Sequence, residues 1–321
     1  MARLAGVSTA TVSRTLSRPE KVGAATRARV MQAVAATGYR LNAAARDLRQ
    51  RRARAITLLA PNLANTYFSR IVAAVQEVAG AAGLRVQLLD SQVESDRLGP
   101  VGSDGRTDGI LLLDGGLDPE IVRGWTVPVV MVCEWMDALG LPCVGTDNVA
   151  AMGLAVDHLA DLGHRRIAWI GGPPGNVLSA ARAEGFTAAM TRRGLPLRDR
   201  DRLTGDFTMA SGACAAHLWA ATPERATAIA CASDESALGF ISECDRMGLA
   251  CPRDVSVAGF DDIDFSERFI PPLTTVHQPR AALGRRAAEQ LIAALESGEP
   301  PPAGRQILPS RLVVRGSTRA V

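Results

Sequence analysis

Lysine is nearly absent from this sequence of 321 residues, in which Lys21 is the only one. Long apolar segments are absent as well. The longest runs, such as residues 127–133, have the length of a strand and fall short of the roughly 18 residues that a membrane helix needs. The first residues also lack an apolar stretch of signal-peptide length. We therefore expect a protein that neither enters a membrane nor is exported, and that works in the cytoplasm.

Motifs for catalysis and metal binding are missing too. The sequence contains no GxGxxG or GxxxxGK[ST] segment and no HExxH spacing, and residues 171–175 place prolines where backbone amides would have to hold a phosphate. The six cysteines lie far apart, without a CxxC pair. This spacing argues against a zinc module or a disulfide framework and suits a reducing cytoplasm. We expect a protein that is not an enzyme and has no metal and no cofactor.

Charge is distributed unevenly along the chain. Residues 1–54 contain twelve basic and two acidic residues, a formal charge of +10, whereas the remaining residues contain 24 basic and 31 acidic groups, a formal charge of −7. An arginine-rich genome would explain why arginine replaces lysine, but not why acids are scarce at one end. The asymmetry favours a head that binds a polyanion, most simply a nucleic acid, fused to an acidic body.

The head begins with a tight turn and a short helix. Gly6 suits the turn because glycine accepts a positive φ, and Ser8 is a good helix N-cap. Val12 and Leu16 share one face of the helix and can point to a core. The other face suits the DNA major groove, where arginine can form paired hydrogen bonds with guanine. Its residues are Thr9, Ala10, Ser13 and Arg14. The alternative is a surface helix with a solvated arginine.

A second helix is predicted over residues 25–37, with Val30 and Val34 on its buried face. Residues 41–49 are helix-prone but have almost no apolar stripe, so we expect them to order only against a partner. Residues 50–54 then form a basic linker.

From residue 55 onward, apolar strands alternate with amphipathic helices in two successive series. Examples are the strand 56–60 with the helix 69–82, and the strand 166–170 with the helix 180–193. Such alternation predicts parallel sheets with right-handed crossovers, and two series predict two sheets. We therefore expect an α/β core of two lobes built on doubly wound parallel sheets, with ligands bound in the cleft between them.

The predicted domains are an all-α head over residues 1–40, a hinge helix and linker over 41–54, and the two-lobed core over 55–321. A helix at 281–297 and a strand at 305–314 are expected to return and complete one lobe each. The first lobe is then about residues 55–147 with 277–300, and the second about 148–276 with 301–321.

The two helical segments of the head, AGVSTATVSRTL at residues 5–16 and RARVMQAVAATGYRLNAAARDLR at residues 27–49, resemble the LacI/GalR family of bacterial transcriptional repressors. The resemblance implies a helix-turn-helix head in which Thr9, Ala10 and Arg14 contact operator bases, with Ser8 and Ser13 beside them. It also implies a hinge helix that orders on DNA and inserts a leucine into the minor groove. The hinge residues that match are Leu48, Ala45 and Arg49.

The head departs from the family pattern in two places. Leu41 stands where the family usually has proline, which removes a preset φ at the start of the hinge helix. Of the family's first helix only residues 2–5 are present, with Leu4 as the main apolar anchor. Met1 occupies a position where the family commonly has valine, so we expect that the natural start lies upstream. Mass spectrometry of the native N-terminus would test this expectation.

Segments of the body resemble the sugar-binding-protein-like core of the same repressors, notably DHLADLGHRRIAWIGGPP at residues 157–174 and PPLTTVHQP at residues 271–279. The resemblance implies an effector site whose contacts are Phe68, Arg182, Phe207 and Asp261, followed by Asp90, Asn176, Ser233 and Asp234. Aromatic faces suit a sugar ring or a base, a guanidinium offers fixed donors, and a carboxylate accepts hydroxyl groups. Several of these residues follow strands, where each also suits an ordinary helix cap.

The body departs from the family pattern as well. Cys133 stands where many members have an acid that meets the ligand; either the next residue, Glu134, substitutes for it or the effector differs. Residues 92–107 are short for a strand–helix–strand crossover.

These features together predict a DNA-binding transcriptional regulator, most simply a repressor. We expect a homodimer on a pseudo-palindromic double-stranded operator, controlled by a small-molecule effector. A sugar or sugar derivative is the first expectation, and a purine or another metabolite is the alternative. A leucine heptad of the kind that joins two dimers does not follow the core, which favours a dimer. The rival hypotheses are a stand-alone small-molecule-binding protein, which leaves the basic head unexplained, and an enzyme.

Overall fold

The structure, a computed structural model, describes residues 1–38, 52–93 and 97–321. The chain forms two compact units, which are residues 1–53 and residues 54–321. We call the first unit the head and the second the core. The predicted hinge contacts lie outside the described residues; they are Ala45, Leu48 and Arg49.

The head consists of α1 (Thr9–Ser17) and α2 (Ala24–Thr37) around a small apolar core. The Ser8 side chain caps α1 as predicted, its Oγ accepting a hydrogen bond from the Thr11 amide at 3.0 Å. Leu4 is 63% exposed, so its predicted role as an anchor is wrong. Its neighbour Ala5 is buried instead, because the turn directs that position toward the helices. The buried residues of the head core are Ala5, Val12, Val30 and Ala33.

The core alternates strands and helices. Its strands are β1 (Ala55–Ala60), β2 (Arg85–Asp90), β3 (Gly109–Leu112), β4 (Val129–Val132), β5 (Cys143–Thr146), β6 (Ile167–Ile170), β7 (Arg202–Leu203), β8 (Ala228–Cys231), β9 (Ser256–Asp261), β10 (Thr274–His277), β11 (Arg305–Leu308) and β12 (Arg311–Val313). Its helices are α3 (Ser69–Ala81), α4 (Pro119–Arg123), α5 (Asn148–Asp161), α6 (Val177–Arg192), α7 (Met209–Ala221), α8 (Asp234–Arg246) and α9 (Arg280–Ser297). None of the helices in the described ranges is long and apolar enough to span a membrane.

These strands form two sheets, with orders β11-β5-β4-β3-β1-β2 and β12-β10-β9-β8-β6-β7 in the described part of the chain. The pairing is parallel except between β10 and β12. Apolar strands such as β1 and β4 are buried along their whole length, as expected for a parallel sheet covered on both faces. The predicted fold class, two lobes of doubly wound sheets behind an all-α head, is confirmed.

The chain passes between the sheets after β5, after β10 and after β11. We call residues 55–146 with 280–308 the first lobe, and residues 148–277 with 311–321 the second. The predicted single strand at 305–314 is wrong, and so is the assignment of residues 301–308 to the second lobe. Pro309 separates β11 from β12 because proline has no N–H to extend the strand pairing.

Close helix pairs complete the lobes. Helix α7 packs against α8 through Gly212 and Gly239. A Cβ atom at either glycine would lie 2.0 Å from a carbonyl oxygen of the facing helix, at Ser236 and Met209 respectively. The backbones approach so closely that only glycine fits, which fixes α8 and the strand ends beside it.

Candidate functional sites

A cavity of about 560 Å³ lies in the core between the carboxyl ends of the two sheets. Loops after β1, β3 and β4 line it from the first lobe, and loops after β6, β7 and β9 line it from the second. We call it the cleft cavity. Its volume falls within the roughly 300–1,000 Å³ of small-molecule sites.

The structure brings five of the eight predicted effector contacts together in the cleft cavity, although they are spread over almost 200 positions of sequence. These are Phe68, Asn176, Arg182, Phe207 and Asp261. Their contact with an effector stays a prediction.

The other three predicted contacts do not line the cleft cavity. Asp90 accepts hydrogen bonds from the amides of Leu63, Gln92 and Val93, so it stabilises the turn after β2. Ser233 caps α8 through the Ser236 amide. The helix-cap interpretation that the sequence left open therefore holds for Ser233, whereas Asp90 stabilises a turn.

Asp234 is fully buried behind the strand ends and also lies away from the cleft cavity. Its Oδ2 accepts from the Ile263 amide at 2.9 Å and from Ser266 Oγ at 2.6 Å, and its Oδ1 accepts from Thr275 Oγ1 at 2.5 Å. Burial raises the pKa of the Asp234 carboxyl. Its role is to join three segments of the second lobe.

Arg182 lies on α6 but is not a surface residue, because it is only 3% exposed. Its Nε donates to Asn148 Oδ1 at 2.9 Å and its Nη1 to the carbonyl of Ala232 at 2.6 Å. The guanidinium carbon stands 4.0 Å from the centre of the Phe260 ring. These contacts hold the guanidinium in one position at the wall of the cleft cavity.

Asp261 ends β9 beside this arginine, with its Oδ1 at 3.4 Å from Arg182 Nη1. Burial raises the pKa of the Asp261 carboxyl to about 7, although the positive charge of Arg182 opposes that shift. Gln278 Nε2 donates to the same oxygen at 2.8 Å. Asp261 is therefore an acceptor whose charge changes near neutral pH.

Sequence reasoning missed Gln278, which lies on the crossing between β10 and α9 and is 2% exposed. Its Oε1 accepts from Thr146 Oγ1 at 2.9 Å and from the Tyr67 hydroxyl at 3.3 Å, both in the first lobe. Its amide nitrogen reaches Asp261 in the second lobe. One side chain thus connects both lobes beneath the cleft cavity. Its position directly after a strand was the available signal.

Glu134 lines the cleft cavity two residues after the end of β4 and is 5% exposed. Its Oε2 accepts from the Gly115 amide at 2.7 Å, and its Oε1 accepts from Asn176 Nδ2 at 2.7 Å. Burial raises the pKa of the Glu134 carboxyl. The neighbouring Cys133 thiol instead lies 3.2 Å from the Tyr67 hydroxyl. An acid is therefore present at this end of β4, one residue later than in the family pattern.

Backbone strain concentrates around the cleft cavity. Cys133, Phe207 and Asp261 all line it and have φ values of 69°, 68° and 121°. Such values are unfavourable for residues with a side chain and are tolerated where the surrounding structure imposes them. Gly172 makes room for the Phe207 ring, which would lie 2.2 Å from a Cβ at that position.

The head presents the predicted DNA contacts on α1. Ser8, Thr9, Ala10 and Arg14 are exposed, and Ser13 is half-buried. Ser8 also caps the helix. Opposite them, Val12 is buried and Leu16 packs against the head core. An exposed helix face of small polar residues with one arginine in the last turn is suited to enter a major groove.

Comparison with known proteins identifies one family match in the head and another in the core. The lacI family of bacterial regulatory proteins matches residues 1–42, and the periplasmic binding protein-like domain matches residues 156–318. The HTH-type transcriptional repressor CytR of Escherichia coli strain K12 is 36% identical over 324 residues, which cover 99% of this chain and 94% of the relative.

Two solved structures match almost the whole chain. The lac repressor dimer bound to operator and the anti-inducer ONPF has a TM-score of 0.86 at 29% identity, covering 99% of this chain and 98% of that one. The complex of the transcriptional regulator CelR with cellobiose has a TM-score of 0.75 at 31% identity, covering 98% of both chains. The family resemblance of the sequence is thereby confirmed: the chain belongs to the LacI family of bacterial regulatory proteins.

Proposed function

We propose that this chain is a transcriptional repressor whose head binds operator DNA and whose core binds a small-molecule effector that controls that binding. The single observation that carries the proposal is that the relatives match head and core together, over 99% of this chain for CytR. A stand-alone binding protein would not account for residues 1–42, which match the lacI family and carry most of the basic excess.

The assembly that fits this function is a homodimer on a pseudo-palindromic operator in the cytoplasm. The lac repressor relative is a dimer bound to operator, which supports the same arrangement for this chain. A two-fold dimer presents two heads to two half-sites. The hinge positions Ala45, Leu48 and Arg49 belong to the proposed DNA contacts through the family resemblance.

The proposed effector is a sugar or sugar derivative bound in the cleft cavity by Phe68, Asn176, Arg182, Phe207 and Asp261. The cellobiose complex of CelR supports a sugar. A ligand held by both lobes would favour one lobe arrangement and thus alter operator affinity. Such coupling typically amounts to about 1–3 kcal/mol. Each proposed contact binds or orients the effector, so the proposed function requires no catalytic step.

Selection of duplex sequences by the full-length chain, followed by anisotropy titrations over a range of salt, tests the proposal. For a dimer that makes about eight phosphate contacts, the logarithm of the binding constant should fall with the logarithm of the salt concentration with a slope of about −7. Absence of preference for any duplex at low ionic strength would refute it. Effector control is tested by repeating the titration with each sugar that raises the melting temperature of the protein.

A further inference from the structure

The charges around the cleft cavity are unbalanced. Among the described residues that line it, Arg182 is the one basic residue, and the acids are Asp114, Glu134, Asp206 and Asp261. Even with Asp261 protonated, three carboxyls face one guanidinium. An anionic ligand would therefore enter a site of its own sign.

The one cation is already engaged by the protein. Arg182 donates to Asn148 and to the Ala232 carbonyl, and Asp261 lies 3.4 Å from it. Its positive charge is thus shared with an internal partner before any ligand binds. A phosphate would have to compete with that carboxylate for the guanidinium, and separating a buried ion pair is costly.

Three backbone amides beside the cleft cavity are also engaged, by the carboxylates themselves. The Gly115 amide donates to Glu134, the Gly116 amide donates to Asp114, and the Thr208 amide donates to Asp206. In the loop after β6, Pro173 and Pro174 have no N–H to offer. Three amides beside the cavity thus already have a carboxylate bound, and two positions of the loop after β6 lack the donor that an anion would use.

The same groups suit a neutral ligand rich in donors. The carboxylates and the lining amide side chains of Asn62 and Asn65 offer acceptors for hydroxyl groups. Phe68 and Phe207 provide apolar faces on opposite lobes. The geometry points to an effector that is uncharged, rich in hydroxyl groups and free of phosphate. This inference deepens the proposed function and rests on it for the identity of the site.

Matched ligand pairs test the inference with the full-length chain in the absence of DNA. The probes are ribose with ribose 5-phosphate, glucose with glucose 6-phosphate, cellobiose with cellobiose 6-phosphate, and cytidine with cytidine monophosphate. Thermal shift is measured first, and calorimetry follows for each pair with a response. We expect at least one unphosphorylated member to bind and its phosphorylated partner to bind at least about 100-fold more weakly.

Removal of one acid tests whether the negative charge of the cavity causes the weaker binding of phosphorylated ligands. Asp206 is exposed and lines the cavity. Asp206→Asn should therefore reduce the ratio of affinities between the unphosphorylated and phosphorylated members of a pair by about tenfold. Glu224 is exposed and outside the cavity, so Glu224→Gln is the matched control and should leave this ratio of affinities unchanged. Equal effects of both changes would show that the cavity charge does not select the ligand.

Two outcomes overturn the inference. One is a phosphorylated member that binds as tightly as its parent, and the other is a panel in which no unphosphorylated member binds. Neither outcome depends on DNA. A chain that selects neutral ligands but no duplex would instead refute the proposed repressor function and leave the ligand class standing.

Discussion

The side-chain amide of Asn176 donates to Glu134 Oε1 at 2.7 Å, and this hydrogen bond joins the two lobes beside the cleft cavity. The same side chain caps α6, since its Oδ1 accepts from the amides of Leu178 and Ser179. One residue thus fixes the start of a helix and connects it to the opposite lobe. The two tasks use different atoms and can be separated by substitution.

Asn176→Ser should lose the connection between lobes but keep the cap, because serine and asparagine are similarly good N-caps. A hydrogen bond to a charged group contributes about 1.5–3 kcal/mol, so we expect a loss of up to that size in the free energy of unfolding from this partly buried bond. Asn176→Ala should cost about 1 kcal/mol more because it also removes the cap. Urea denaturation of both variants measures the two effects. A serine variant as stable as the parent would show that the bond between lobes does not stabilise the core.

Arg182→Ala should destabilise the core strongly. The change leaves Asp261 without its ionic partner, and removal of one member of a buried pair typically costs about 3–5 kcal/mol. The matched control is Arg192→Ala on the same helix. Arg192 pairs with Asp157 at the surface, where an ion pair contributes about 0–1 kcal/mol.

Denaturation at pH 8, above the pKa of about 7 that Asp261 has in the parent chain, makes the comparison sharpest. Asp261→Asn should reduce the cost of Arg182→Ala, because the unpaired charge is then gone. Equal costs at Arg182 and Arg192, or no rescue by Asp261→Asn, would contradict the ion-pair interpretation.

The sequence predicted the fold better than the site. Alternating periodicity identified β1, α3 and β6 within a few residues, and Ser8 as the cap of α1. Shorter elements were not predicted, because a strand such as β7, with two residues, is too short to show a periodic pattern. A single strand was predicted where Pro309 divides β11 from β12, since an apolar run does not show which sheet each part joins.

Within the site, a polar residue after a strand was visible in the sequence, but the direction of its side chain was not. Asp234 begins α8 shortly after a strand and Asp261 ends β9, so both lie near strand ends, yet Asp234 turns inward to Ser266 and Thr275. Those partners are 32 and 41 positions away, so only tertiary structure reveals them. The contact between Glu134 and Asn176, which are 42 positions apart, was not predicted for the same reason.

Asp261 gives the stability of the core a specific pH dependence. Its pKa is raised from 3.8 to about 7, first by burial and then by the nearby Asp234, whereas Arg182 lowers it. The native state therefore holds this proton more tightly than the unfolded state. Its contribution to the free energy of unfolding should fall as the pH rises from about 4 to about 7, by up to about 1.4 kcal/mol per pH unit.

Asp261→Asn removes that proton equilibrium. The variant should gain stability relative to the parent across the same interval, and the difference should level off above about pH 7. Burial also raises the pKa of Glu134, but this group occurs in parent and variant, so its contribution cancels. Urea denaturation at pH 4.5, 6, 7 and 8 measures the difference. A constant difference over this range would exclude a titration of Asp261 in it.

Arg14 is exposed on α1, whereas Arg27 is exposed on α2, so the two arginines allow base contact and phosphate contact to be distinguished in the head. Arg14→Ala should cost about 1–3 kcal/mol on the selected operator and relax the preference at one base position. Arg27→Ala should weaken binding to all duplexes by the same factor and reduce the salt slope by about 1, because a phosphate contact carries no sequence information. Repeating the duplex selection with each variant measures the difference. If Arg14→Ala lowers affinity equally for every sequence, Arg14 contacts only the phosphate backbone and base recognition belongs to other residues of α1.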